Sequence, residues 1–142
     1  MKIMSKREYK IDNPKGADVT ELRSKFRTDC ETVHYSDYMF SGPQILAFAV
    51  DVMTELSERR DNGDGSLLAK TDANYHASLF AEETIEVIVW LEKEGSRSRT
   101  YGFEMYKLIE YHRIPDDKFK ILDEPILVSD GTLVCVVKKP RD

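Results

Sequence analysis

Long apolar runs are missing from this chain of 142 residues. Nowhere do the roughly 20 apolar residues of a membrane-spanning helix follow one another, so no membrane partner is expected. Cysteine is scarce. Cys30 and Cys135 lie far apart and match neither a zinc-ligand spacing nor a disulfide framework, which leads to the expectation of a reducing, cytoplasmic setting. The opening MKIMSKREYK lacks the apolar stretch of a secretory signal. Positive charge is outnumbered too: 21 Lys and Arg stand against 26 Asp and Glu, a formal net charge of -5. A chain of that sign is not expected to bind nucleic acid as a bulk polyanion.

What is present is enough for one domain, which at this length buries about 68 to 70% of the surface of its unfolded form. The organising stretch is SGPQILAFAVDVMTELSERR, from Ser41 to Arg60, whose pattern predicts a central helix. Ser41 and Gln44 stand at capping-box spacing, and Pro43 is tolerated in a first turn. Ile45, Phe48, Ala49, Val52, Met53 and Leu56 recur every three or four residues. Because Leu46, Ala47 and Val50 make the other side apolar as well, this helix is expected to be almost wholly covered. Asp51 and Glu55 interrupt it. They lie four apart on one face, where like charges weaken a helix by roughly 0.2 to 0.5 kcal/mol.

Residues 1 to 18 are polar and broken by Asn13-Pro14 and Gly16, and they read as an extension outside the core; residues 19 to 142 read as a single domain. Alternation of apolar and polar residues predicts a first strand over Val19 to Thr28. The aperiodic segment 29 to 41 is a loop leading to the helix N-terminus. After the helix, Asp61-Asn62-Gly63-Asp64-Gly65 marks a turn, and alternation then resumes over Leu67 to Ala77, Thr84 to Leu91 and Arg97 to Tyr111. An excursion containing Pro115 separates these from a last strand, Ile126 to Lys138, with a bulge or bend expected at Asp130-Gly131. One strand, a long helix and four strands with short connections, compatible with an antiparallel meander, make an α+β protein. A curved sheet of about five strands wrapped round one helix is the hotdog fold. Its open sheet edge leads to the expectation of a homodimer or higher oligomer.

His34-Tyr35 in the loop, Gly42 at the helix entry and Asp51-Val52-Met53-Thr54-Glu55-Leu56 near the helix end stand in order and without gaps. Further on come Glu92-Lys93, Gly95, Ser98, Thr100, Phe103-Glu104 and Lys107, then Glu124-Pro125-Ile126 and Gly131-Thr132. Over residues 30 to 138 this series resembles the hotdog-fold 3-aminoacyl-CoA ammonia lyases, the β-alanyl-CoA and 3-aminobutyryl-CoA ammonia lyases of amino-acid-fermenting anaerobes. The chain has Asp37-Tyr38 where that family usually has Gly-Asn. The resemblance implies reversible elimination of ammonia from a short 3-aminoacyl-CoA, with coenzyme A entering as part of the substrate and no separate cofactor or metal.

That chemistry needs a base for the proton beside the carbonyl, donors for the enolate oxygen and an acid for the departing amine. Free N–H groups of a first helical turn can serve the oxygen, which singles out Gly42 and Gln44. Asp51 and Glu55, crowded by apolar neighbours, are expected to repel each other and raise at least one pKa, so that one acts as base. On pattern alone both could equally face solvent. His34 is placed to orient the carbonyl or relay a proton, or simply to bond backbone. Tyr35 and Asp37 complete the loop side, where Asp37 adds a negative charge suited to a substrate amine. Arg97 and Arg99, with Lys107, Lys138, Lys139 and Arg141, are candidates for the coenzyme A phosphates, although charged strand ends are commonly just solvated. A thioesterase or enoyl-CoA hydratase would use the same residues differently, and a non-catalytic acyl-CoA-binding protein would use only the binding set.

Overall fold

Ser41 opens the helix as its spacing predicts. In the computed structural model, which describes residues 18–31, 33, 35–61 and 66–138, Ser41 is extended (φ -73°, ψ 162°) and its hydroxyl accepts from the Gln44 amide at 3.4 Å. The Gln44 side-chain oxygen accepts the Ser41 amide in return, at 3.1 Å. Helix α1 then runs from Gly42 to Arg60, and Arg59 and Arg60 in its last turn face the negative end of the helix dipole. Five strands surround it: β1 (Glu21–Arg27), β2 (Ser66–Tyr75), β3 (Thr84–Glu94), β4 (Ser98–His112) and β5 (Lys118–Val137).

One stripe of α1 is buried, formed by Ile45, Ala49, Val52, Met53, Leu56 and Ser57. It meets the inward residues of the sheet, among them Val87 and Val89 of β3, Phe103 and Met105 of β4 and Leu133 of β5, all without solvent exposure. Truncating Leu56 within such packing would cost about 2 to 5 kcal/mol. The expectation of a helix covered all round fails: Ala47, Asp51, Thr54 and Glu58 are exposed, and Leu46, Phe48 and Val50 are half-buried. A single sheet covers one side of a helix, and among the described residues no second layer covers the other.

All five strands pair antiparallel in one sheet of order β1-β3-β4-β5-β2. Only β3, β4 and β5 form the meander suggested by the short connections. Strand β2 does not join β3, because residues 76–83 carry the chain across, tied to the loop ahead of the helix by Phe40 N–H to the Leu79 carbonyl (2.8 Å) and Ala81 N–H to the Tyr38 carbonyl (2.9 Å). Strands β1 and β2 are therefore the two edges.

The segment around Pro115 is the tip of a β4–β5 hairpin, with His112 opposite Lys118. Strand β5 thus starts earlier than its alternation suggested. The pattern is broken because the register jumps from Lys107 opposite Ile126 to Ile109 opposite Ile121, leaving Pro125 in a bulge where no ladder donor is needed. Asp130-Gly131 is not the bulge. Gly131 stays in register, opposite Ala73 and Phe103, at φ 154°, where an added Cβ would lie 2.0 Å from the Asp72 carbonyl oxygen. Among the described residues no helix is long and apolar enough to cross a membrane.

Candidate active site

The loop 35–41 ahead of α1 is the wall around which three cavities gather. At the helix entry, a cavity of about 360 Å³ is lined by Phe40, Gly42, Ile45, Tyr75 and His76. The Tyr75 ring lies over Gly42, where an added Cβ would sit 3.5 Å from it. A first-turn amide has no acceptor within its own helix, so Gly42 offers a donor there. Gln44, the other donor expected from the sequence, is already engaged: its amide and its side-chain oxygen both close the capping box. His76 adds an imidazole to the rim, its Nε2 2.9 Å from Asp130 Oδ1. Neither Tyr75 nor His76 stood out in the sequence. Both end an alternating strand, and only the crossing of residues 76–83 brings them to the helix entry.

Further along α1, a cavity of about 250 Å³ is lined by Arg27, Thr28, Phe40, Ala47, Phe48 and Asp51. Desolvation by these surroundings pushes the Asp51 carboxyl above its ordinary value. The cause is burial, not the Glu55 charge as expected. Glu55 lies one turn on, its Oε1 3.7 Å from Arg59 Nη2 and buried without a hydrogen bond. Gly42 and Asp51 are nine residues apart, roughly 13 Å along a helix rising 1.5 Å per residue. One chain's amide and carboxylate therefore cannot touch the same thioester group.

The third cavity, about 410 Å³, lies between the loop and the hairpin tip, with Asp37, Tyr38, Phe80, Tyr111, Arg113 and Ile114 in its lining. Asp37 Oδ1 accepts the Met39 amide at 3.2 Å. Tyr35 is exposed, and its carbonyl accepts the Tyr38 amide at 3.0 Å. His34 lies outside the described residues, as do Lys139 and Arg141.

The cations expected at a diphosphate divide sharply. Arg97 and Lys138 are exposed. Arg99 is not: it is wholly buried, its guanidinium 2.8 Å from Asp61 Oδ1 and donating to the Gly95 and Ser98 carbonyls. Burial and internal pairing remove it from any ligand. Lys107 is equally committed, 3.0 Å from Glu83 Oε1. Glu83, second of the Glu82-Glu83 pair just before β3, is 2% exposed and accepts the Phe80 and Tyr111 amides at 2.8 and 3.1 Å. It fixes two residues of the third cavity's wall. A doubled Glu gives no sign that its second member faces inward. Among the described residues no three His, Cys, Asp or Glu side chains group as a metal site.

No protein-family model matches the chain. A 3-aminobutyryl-CoA ammonia lyase of Acetoanaerobium sticklandii is 31% identical over 118 residues, covering 82% of this chain and 94% of that one. Among solved structures, the β-alanyl-CoA:ammonia lyase from Clostridium propionicum matches with a TM-score of 0.77 at 24% identity, over 86% of this chain and 91% of that one. An acyl-CoA hydrolase from Staphylococcus aureus in complex with butyryl-CoA and coenzyme A matches with a TM-score of 0.63 at 10% identity, over 92% and 72%. The two structural likenesses establish the hotdog fold.

Proposed function

Because this chain belongs to the hotdog-fold 3-aminoacyl-CoA ammonia lyases, we propose that it interconverts a short 3-aminoacyl-CoA with the corresponding enoyl-CoA and ammonia. It is an enzyme, a carbon–nitrogen lyase acting on a CoA thioester. In the proposed reaction the thioester oxygen sits at the Gly42 amide, where the helix dipole stabilises the enolate. Asp51 removes the proton at C2, that electron pair becomes the C2–C3 double bond, and the C3–N bond breaks. The amine, bound as ammonium, departs as NH3. The proton held by Asp51 passes to it, ammonium is released, and the carboxylate is restored. Glu55 is assigned to hold the ammonium group, His34 to orient the carbonyl or relay a proton, and Tyr35 to line the acyl end.

With roughly 13 Å between Gly42 and Asp51 along one helix, the site needs two copies, each supplying one of these groups to the other. Edge strand β2 suits such pairing: among the described residues no strand pairs with its outer side, and Leu67 and Tyr75 on it are 70% and 46% exposed. We assign the enzyme to the cytoplasm and to amino-acid fermentation, working as a homodimer with coenzyme A as part of its substrate and without a separate cofactor. The observation that carries the mechanism is the place of Asp51 in the lining of a cavity with Phe40 and Phe48, where desolvation raises its carboxyl above the ordinary value.

The test mixes the purified protein with 3-aminobutyryl-CoA and follows enoyl-thioester absorbance beside a thiol reagent. Enoyl formation without free thiol, reversed by added ammonium, is the expected result. Thiol release would make the protein a thioesterase, consumption of crotonyl-CoA without ammonium a hydratase, and acyl-CoA binding with no turnover a binding protein.

A further inference from the structure

Of the cations near the pre-helix loop, Arg27 is paired with Glu82 at 3.0 Å and Lys107 with Glu83. Arg113 is paired with no carboxylate among the described residues. Its guanidinium instead lies over aromatic rings, 3.9 Å from the centroid of Tyr38 and 5.1 Å from that of Tyr111. A guanidinium held by its face keeps its N–H edge available, and that edge matches two oxygens of a phosphate. The backbone is bent to arrange this. Tyr38 has φ 65°, the left-handed region that a residue with a bulky side chain seldom occupies, and it is kept there by the bonds from its amide to Tyr35 and from Ala81 to its carbonyl.

Beside Arg113 the cavity of about 410 Å³ is walled by Phe80, Ala81 and Ile114, the last 84% exposed. It falls within the 300 to 1,000 Å³ usual for small-molecule sites, which combine apolar walls with a few polar groups. Asp37 spends one oxygen on the Met39 amide and can offer the other to an amine. An apolar slot, a phosphate fork and one hydrogen-bond acceptor suit a purine nucleotide. Tyr38 precedes Gly42 by four residues, a span of at most about 14 Å, so a ligand in this cavity lies within reach of the helix entry through a flexible arm.

We propose that this cavity seats the phosphorylated adenine nucleotide of coenzyme A, with Arg113 on a phosphate, the adenine against Phe80 and Ile114, and its exocyclic amine on Asp37. The proposal rests on the reading of the chain as a CoA-thioester enzyme and moves the phosphate contact from Arg97 and Arg99 to Arg113.

Binding of coenzyme A and of adenosine 3′,5′-bisphosphate to the full-length chain is measured by calorimetry, for the parent protein and for Arg113→Gln. Both ligands should bind the parent at one shared site, and Arg113→Gln should weaken both by roughly ten- to a hundredfold, as expected for loss of a charged hydrogen bond. In turnover, the advantage in kcat/KM of the CoA thioester over the N-acetylcysteamine thioester of the same acyl group should shrink by a similar factor. Unchanged affinity in Arg113→Gln, equal proportional losses on both thioesters, or competition by inorganic pyrophosphate as strong as by the bisphosphate would each overturn the proposal. If no thioester is turned over, the lyase reading fails, while the calorimetry still decides on the nucleotide site.

Discussion

The two ends of helix α1 handle charge in opposite ways. At the C-terminal end Arg60 meets Glu94 at 2.5 Å and the Val19 carbonyl at 2.8 Å, while Asp61 meets the buried Arg99 at 2.8 Å. Each of these charges is consumed inside the chain. The N-terminal half has Gly42 under an open cavity and Asp51 exposed at the mouth of another, with Arg113 and His76 on nearby rims. Charge that is buried and paired is withdrawn from solvent and ligand alike and is costly to unpair, whereas charge left at the edge of a cavity is open to something that arrives from outside. By that contrast Arg99 and Lys107 belong to the scaffold, and Asp51 and Arg113 to the ligand.

The sharpest way to break the contrast is to exchange one acid at each end. Asp51→Asn should lower kcat by about 10² to 10⁴, the usual contribution of a general base, with the melting transition kept. Turnover at the parent rate in this variant would remove Asp51 from the chemistry. Asp61→Ala should act the other way round. Leaving the buried Arg99 only Glu94, 3.8 Å away, as a carboxylate partner should cost up to about 3 to 5 kcal/mol of stability, read in urea unfolding, while the molecules that remain folded keep their kcat. A stable Asp61→Ala protein with impaired catalysis would mean that the two ends are not divided as described.

How far this division could be read in advance differs between backbone and side chains. The capping pair Ser41 and Gln44, the strand alternation and the long amphipathic stretch all act through neighbours a few residues away, so they are written locally. The pairing of β2 with β5 is not, because alternation tells that a strand exists and not which strand it joins. Asp51 could be picked out as an acid among apolar residues, and its place beside a cavity agrees with that. Its raised pKa has another origin from the one expected, desolvation, in a cavity that joins Arg27 and Thr28, distant in sequence, to its helix neighbours Ala47 and Phe48. Arg97 and Arg99 look alike on paper, two residues apart at a strand start, yet one stays in solvent and only the fold supplies Asp61 to the other. Arg113 carries no local sign of its role for a related reason, since Tyr38, the ring nearest to it, lies seventy-five residues away in sequence.

The smallest expected effect ties the two kinds of measurement together. With its carboxyl raised above the ordinary 3.8 by desolvation, Asp51 binds its proton more tightly in the folded protein than in the unfolded chain. Its contribution to stability is therefore complete below pH 3.8 and is lost as pH rises through the folded value. A carboxamide cannot titrate, so the stability of Asp51→Asn relative to the parent should climb across that window and level off above it. The same deprotonation makes the base competent, and kcat/KM of the parent should rise around the folded value. One group read in two ways must agree: the stability difference should level off at the pH where the activity limb has its midpoint. A stability difference that stays flat with pH, or an activity limb centred elsewhere, would separate the desolvated carboxyl from the catalytic one and move the search for the base toward His76 and Asp130 at the helix entry.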